Sequence, residues 1–377
     1  MTNWFTEFQK FHQSFLRRGL AVLVDQEART PRAVVLTPGD HVTAATLNEL
    51  LSLTGGIPFV AIPEAQANGL MLLELPARLS HNAREATRSF VSVEAREGVS
   101  TGISAEDRAR TIQILAESPP QPRKLVRPGH VFPVAVVEGG TLVRNALPEG
   151  AFDLGVLCAS AHAVVFSDLL DAKGEIPSLD AMHAFCNQHQ LPAITLSQLV
   201  AHRLEAEQLV YRVSDARIPT STGGDLRAVV YRSRVYDGEH VALIKGDISG
   251  SDPVLTRVQR EHTLTDVFSG TLSKSREHLH FALREIGRVG RGVVVYLRSN
   301  DFGALASGAG SALGDRAALM RGYGIGAQIL RDLGVTRVRL LTGSPKRLAG
   351  LKSFGIDIVE QLELPRDLSA LTNGPPE

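Results

Sequence analysis

The chain has 377 residues with 40 basic and 40 acidic side chains, so its formal charge is zero and no overall field selects nucleic acid or an anionic membrane as a partner. That length is long for one hydrophobic core, and two domains are expected. The two cysteines, Cys158 and Cys186, have no Cys-x-x-Cys spacing, which fits buried thiols in a reducing compartment better than a disulfide or a thiolate cage.

Trp4, Phe8, Phe11 and Phe15 recur at helical spacing and predict an amphipathic N-terminal helix closed by Arg17-Arg18-Gly19. Glu7 does not suit a secretory signal, and no apolar run approaches the ~20 residues of a membrane span, so a cytoplasmic location is expected. Strands are predicted at Ala21–Val24 and Ala33–Leu36, then a helix at Thr43–Leu53 ended by Gly55-Gly56. Further strands are predicted at Phe59–Ile62, Leu70–Leu75 and Phe90–Glu94, and helices at Ala105–Glu117 and Asp180–His189. The segment from Ala193 leads into a helix ending near Arg203. Alternation at these lengths implies an α/β or α+β domain.

The charged stretch at Ala206–Asp215 marks the boundary, with domains expected at 1–207 and 208–377. Beyond it, strands are predicted at Val210–Val213, Ala228–Arg232 and Glu239–Lys245, then a helix at Ile325–Leu333 and a strand at Val338–Leu341. A helix at Pro345–Ser353, a strand at Ile356–Glu360 and a disordered Asn373–Glu377 complete the reading.

Two small-residue turns carry the most chemistry. In Thr101-Gly-Ile-Ser-Ala-Glu-Asp-Arg108, Gly102 allows close backbone approach, Thr101 and Ser104 offer hydroxyls, and Asp107-Arg108 open a helix whose free N–H groups suit an anion. Arg127-Pro-Gly-His-Val-Phe-Pro133 presents His130 from a second turn. Local chemistry alone leaves an ordinary capped helix and an X-Pro turn equally open.

Both segments resemble 3,4-dihydroxy-2-butanone-4-phosphate synthase, a riboflavin-pathway enzyme acting on ribulose 5-phosphate. The resemblance implies a small phosphorylated metabolite bound by Arg29, Thr101, Ser104, Arg108 and Arg144, with His130 and Asp168 as catalytic groups. Such enzymes hold Mg²⁺ on carboxylates and a histidine. Here the acidic-loop positions fall on Thr30, Arg32 and Val34, the histidine position on Leu147, and the reactive-cysteine position on Phe59.

From Tyr211 onward the chain resembles GTP cyclohydrolase II, most strongly in Glu239–Ile248, Gly292–Arg298 and Tyr323–Val335. Those enzymes open a purine ring with water on a three-thiolate zinc site. The thiolate positions match His262, Ser273 and Ser275, and a serine hydroxyl is a poor zinc ligand. His278 and His280 are read as packing or solvent-facing helix residues. Arg321 matches the nucleotide-attacking arginine and Thr342 a nucleotide-contacting threonine, whereas the general-base position falls on Leu319.

These substitutions lead to three expectations. The first is a protein lacking both metal-dependent activities and any metal cofactor, kept as a ligand-binding or scaffolding homologue that pairs with itself or with an active relative. The second is an altered enzyme using His130 and Asp168 on a sugar phosphate. The third is the bifunctional synthase and cyclohydrolase itself. A homodimer is implied by the resemblance, while the balanced charge leads to no expected nucleic-acid or membrane partner.

Overall fold

A computed structural model describes residues 3–28, 30–75, 87–234, 238–268, 274–298, 316–343 and 356–365, with side chains not described at 3–6 and 316–323. The chain forms two compact units, Met1–His202 and Arg203–Glu377. The first runs α1 (Asn3–Arg18), β1 (Ala21–Asp25), β2 (Arg32–Pro38), α2 (Ala44–Thr54), β3 (Phe59–Pro63), α3 (Glu64–Gly69), β4 (Arg88–Ser89) and β5 (Val93–Ala95). It continues with α4 (Ala105–Ala116), β6 (Leu125–Val136), α5 (Leu147–Ala159), β7 (Val164–Asp168), α6 (Leu179–Gln188) and β8 (Ala193–Thr195). Helix α7 (Leu196–Ala206) follows.

These strands form one mixed sheet in the order β4-β6-β3-β7-β2-β1-β8, with β5 also on β6. Strand alternation divides its apolar residues between two layers of helix. Val22 and Val24 pack with Leu47 and Leu50 of α2, Ile112 and Leu115 of α4, and Met182 of α6. Ala21 and Leu23 pack with Phe8, Phe11 and Phe15 of α1, Leu154 of α5 and Leu199 of α7. Both cysteines are free and buried, and burial pushes the Cys158 thiol up to about 12 and Cys186 up to about 11.

The second unit runs β9 (Val210–Thr220), β10 (Gly224–Ser233), β11 (Glu239–Lys245), β12 (Val254–Arg260), α8 (Thr263–Asp266), α9 (Ser275–Val289) and β13 (Gly292–Leu297). It ends with α10 (Arg316–Asp332), β14 (Arg337–Thr342) and β15 (Asp357–Glu363). Its sheet order is β15-β14-β12-β13-β11-β10-β9. Strands β12, β13, β14 and β15 are mutually parallel, while β9, β10 and β11 form an antiparallel meander that joins β13. Among the described residues, no helix is long and apolar enough to cross a membrane.

Several predicted ends hold closely. Thr43 caps α2 through the Thr46 N–H, Ser104 caps α4, and Gly55 closes α2 in the left-handed region. Two predicted strands do not form as read. After Gly69 the chain turns through Met71 at φ 53°, and only Glu74 makes an isolated bridge, to Phe90. The Phe90–Glu94 strand is divided, with pairing to β6 slipping between Val93 and Glu94. Strand β6 and helix α5 were not anticipated, because Pro128, Gly129 and Pro148 interrupt their patterns. The Pro345–Ser353 helix and the C-terminal tail lie outside the described residues.

Phe15 is 1% exposed and meets Phe11 with ring centroids 6.0 Å apart. Phe15→Ala should therefore destabilise the first unit by about 3–5 kcal/mol, seen as a lowered urea midpoint with unchanged slope.

Candidate functional site

The two sequence turns meet on Glu94, a residue that sequence reasoning missed. The register slip at Val93/Glu94 turns this carboxylate out of the strand ladder, and its Oε2 lies 2.9 Å from His130 Nδ1. Gly102 sits at φ +81°, and a Cβ there would stand 1.7 Å from Glu94 Oε1. At Gly129 a Cβ would stand 2.2 Å from the Val93 carbonyl oxygen and 2.5 Å from Glu94 Cβ. Neither position accommodates a side chain while Glu94 stays in place. The available signal was a lone acid between two apolar strand residues, Val93 and Ala95.

Asp107 fastens the first turn from the opposite side. Its Oδ1 accepts from the Ser100 N–H at 3.1 Å, and its Oδ2 accepts from Ser100 Oγ at 2.8 Å and the Gly102 N–H at 3.0 Å. Ser104 Oγ accepts from the Asp107 N–H at 3.0 Å, so this hydroxyl serves as a helix cap. Thr101 is exposed on the turn. Arg108 is half-buried, its Nε makes no hydrogen bond, and it has no carboxylate partner among the described residues. Burial pushes its pKa down, the signature of a cation lacking a counter-charge.

Sheet register brings Asp168 to the same end as His130. Phe59 of β3 pairs with Phe132 of parallel β6 and with Phe166 of antiparallel β7, so His130 and Asp168 each lie two residues beyond that level, in the same direction. Asp168 Oδ1 accepts from Arg32 at 2.7 Å, the cation that stands at an acidic-loop position. Phe59 is one of three packed rings, 6.2 Å from Phe132 and 5.8 Å from Phe166.

Arg144 lies apart from this group. It pairs with Glu149 and donates to the Ala135 carbonyl at 3.3 Å, five residues along β6 from His130 and roughly 17 Å at strand spacing. Glu149 is fully buried, and burial raises its pKa against the lowering effect of Arg144. Leu147 is 8% exposed and belongs to the core, which does not fit a metal ligand. Thr30 is exposed, and Arg29 lies outside the described residues.

In the second unit, β12 lies between β13 and β14. Successive connections therefore leave on opposite sides of β12, making its C-terminal end a topological switch point where open parallel sheets form ligand crevices. Arg257 reaches there, donating to Gln259 Oε1 at 3.0 and 2.7 Å and to the Leu341 carbonyl at 3.1 Å. Gln259 Nε2 donates to Ser275 Oγ at 2.6 Å. His262 Nδ1 is 2.9 Å from Thr265 Oγ1, and the His262 N–H donates to Asp266, which also accepts from Tyr296 at 2.8 Å. His262 and Ser275 are thus held in hydrogen bonds that do not fit a zinc cage, and Ser273 lies outside the described residues. His278 and His280 pack half-buried on α9, with burial the main cause of their lowered pKa values. Thr342 is buried at the end of β14. Arg321 and Leu319 lie on α10, where their side chains are not described. Among the described residues no cluster of three or more His, Cys, Asp or Glu could hold a metal.

The family model for 3,4-dihydroxy-2-butanone 4-phosphate synthase matches residues 10–202, and that for GTP cyclohydrolase II matches residues 211–363. The chain belongs to the bifunctional family that joins these two. Riboflavin biosynthesis protein RibBA of Salinispora arenicola is 36% identical over 91% of this chain and 85% of its own length. RibBA of Bacillus cereus is 34% identical over 93% and 91%. The probable bifunctional riboflavin biosynthesis protein RIBA 2 of Oryza sativa is 32% identical over 96% and 68%. A crystal structure of RibBX, described as a two domain 3,4-dihydroxy-2-butanone 4-phosphate synthase from A. baumannii, superposes with TM-score 0.77 at 26% identity, covering 95% of this chain and 99% of that one.

These findings correct two expectations. Extended similarity to proteins named as riboflavin biosynthesis enzymes overturns the non-catalytic scaffold reading. Membership of two metal-using families likewise overturns the expectation of no metal cofactor. The described residues at the family's ligand positions do not form the cage, so no chemical step is assigned through a cation.

Gly102→Ala should displace Glu94 and release His130, leaving a folded protein with at least tenfold lower first-unit turnover. Loss of the Glu94–His130 contact, seen as a moved His130 ring resonance by NMR, would check the cause. His240 is fully buried on β11, its Nδ1 accepts from the Arg298 N–H at 3.2 Å, and burial lowers its pKa to about 4. The unfolded chain takes up this proton near pH 6.5 and the folded chain only near 4. The stability linked to His240 is therefore full above pH 6.5 and is lost between there and pH 4, by about 3 kcal/mol. Urea unfolding of wild type and His240→Phe at several pH values should show this slope in wild type alone.

Proposed function

We propose that the chain is a working riboflavin-pathway enzyme whose first unit cleaves ribulose 5-phosphate or a closely related ketose phosphate in the manner of a 3,4-dihydroxy-2-butanone-4-phosphate synthase. The observation that carries this is the Glu94–His130 pair, formed where the two glycine turns converge. With the carboxylate accepting from Nδ1–H, the imidazole Nε2 is left as the base. A base so placed removes a proton next to the ketose carbonyl and returns it later in the rearrangement. Arg108 supplies uncompensated positive charge for the phosphate, with hydroxyls from Thr101 and Ser104 close in sequence. Asp168, held by Arg32, is the second proton carrier at the same sheet end. This residue set differs from the family's acidic loop and histidine, and we read the two sites as diverged in means while retaining their reactions.

Arg29 completes the binding group by resemblance, whereas Arg144 is tied to buried Glu149. A homodimer is part of the same reading by resemblance. The parallel strand ends around Arg257 and Thr342 favour a second activity, ring opening of a guanine nucleotide in the second unit, with Arg321 on α10 beside it in sequence order.

Formate release tests both activities, using ribulose 5-phosphate with Mg²⁺ and GTP with Zn²⁺. His130→Asn should lower turnover of ribulose 5-phosphate by about 100-fold or more without changing the melting temperature. Failure of the wild-type protein to release formate from ribulose 5-phosphate, or an unaffected His130→Asn variant, would remove the first-unit reading.

A further inference from the structure

A basic cleft of about 230 Å³ opens on the outer side of α4, between the turn that follows β5 and the short 3-10 turn Pro122–Lys124. Four cations, Arg96, Arg110, Arg123 and Lys124, line it against the carboxylates Glu97 and Glu117. Glu117 is engaged by Lys124 at 2.6 Å, and no carboxylate pairs with the three arginines among the described residues.

Two of the guanidinium groups are held in place by backbone. Arg96 donates its Nε to the Arg123 carbonyl at 2.8 Å, and Arg110 donates its Nε to the Glu97 carbonyl at 2.8 Å. Arg110 also lies against Gly98, where a Cβ would stand 2.5 Å from its Nε and 2.8 Å from its Cζ. That glycine, at φ +75°, leaves room for the cation. Each of these arginines therefore spends its inner nitrogen on the protein, and its terminal nitrogens make no hydrogen bond among the described residues. Such a fork is preorganised for paired oxygen atoms, the geometry in which arginine binds phosphate most strongly. Ile114 adds an apolar wall.

We propose that this cleft is a second anion site, distinct from the His130 turn, that takes a small molecule bearing linked phosphates. A single phosphate engages one fork, whereas a pyrophosphate group spans two and meets the cationic excess that remains once Glu117 is paired with Lys124 and Glu97 is set against the three arginines. Free pyrophosphate and the diphosphate of a nucleotide share this chemistry. Occupation of the cleft also bears on the turn at residues 97–102, because Arg110 holds its first part while Asp107 and Glu94 hold its second.

Calorimetric titration of the full chain with inorganic pyrophosphate at low ionic strength tests the site. Arg110→Gln/Arg123→Gln should weaken binding at least tenfold, and orthophosphate should bind more weakly than pyrophosphate to the wild type. Arg288→Gln, in the second unit, should bind pyrophosphate like the wild type, and Arg108→Gln should keep the binding that the double variant loses. Arg123→Gln alone, a side chain that makes no hydrogen bond within the described protein, guards against a folding defect in the double variant and should weaken binding at least threefold. In a second arm, ADP binding more tightly than pyrophosphate assigns the Ile114 wall to a nucleoside, and equal binding assigns the site to the free anion. Absence of pyrophosphate binding, equal affinity in the double variant and wild type, or loss of binding in Arg108→Gln would each overturn the proposal.

Discussion

A single carboxylate sets the arrangement of the first unit's site. Glu94 occupies the space that a side chain at position 102 would need, and the Val93–Glu94 backbone crowds position 129, so two turns far apart in sequence close only if both carry glycine. The resulting contacts leave His130 partly exposed yet fixed at one nitrogen, a combination suited to proton transfer. The register slip between Val93 and Glu94 makes this possible, because a regular strand would keep Glu94 in step with the ladder and away from the turns. Local irregularity in the sheet and catalytic geometry are here one feature.

The second unit reaches its site by topology. Reversal of connection direction at β12 places side chains from β12, β14 and α9 around one set of strand ends, and Arg257, Gln259 and Ser275 form a chain of hydrogen bonds there. A network with so many mutual partners holds its members in fixed rotamers. This explains how serine at a position that the family fills with thiolate can sit without strain.

Much of this architecture was legible in the sequence. Helix caps at Thr43 and Ser104, the glycine stop at Gly55 and the alternating strands are local patterns, readable from a few neighbouring residues. Glu94 was illegible because its partners stand up to 36 residues away and its strand is broken by a slip that no periodicity reveals. Arg144 looked like an open phosphate ligand because its buried partner Glu149 lies inside a proline-interrupted helix that was not anticipated. Substitution at a handful of ligand positions is outweighed by similarity that spreads over nearly the whole chain, because a few side chains can change while the fold and the remaining contacts, such as Glu94 with His130, persist.

The turn at residues 97–102 links the basic cleft to the Glu94–His130 pair. Its N-terminal part is bound to Arg110 through Glu97 and Gly98, and its C-terminal part is bound to Asp107 through Ser100 and Gly102. Arg110 and Asp107 stand three residues apart on α4, so both attachments are made to the same rigid turn of helix. Arg110 and Gly102 are therefore joined by a short backbone segment anchored at both ends. Because Gly102 packs directly on Glu94, and Glu94 holds His130, the position of this imidazole is set by contacts that extend to the basic cleft. Coupling of this kind needs no large motion, since close packing around two glycines converts a displacement of a few tenths of an ångström into a broken contact.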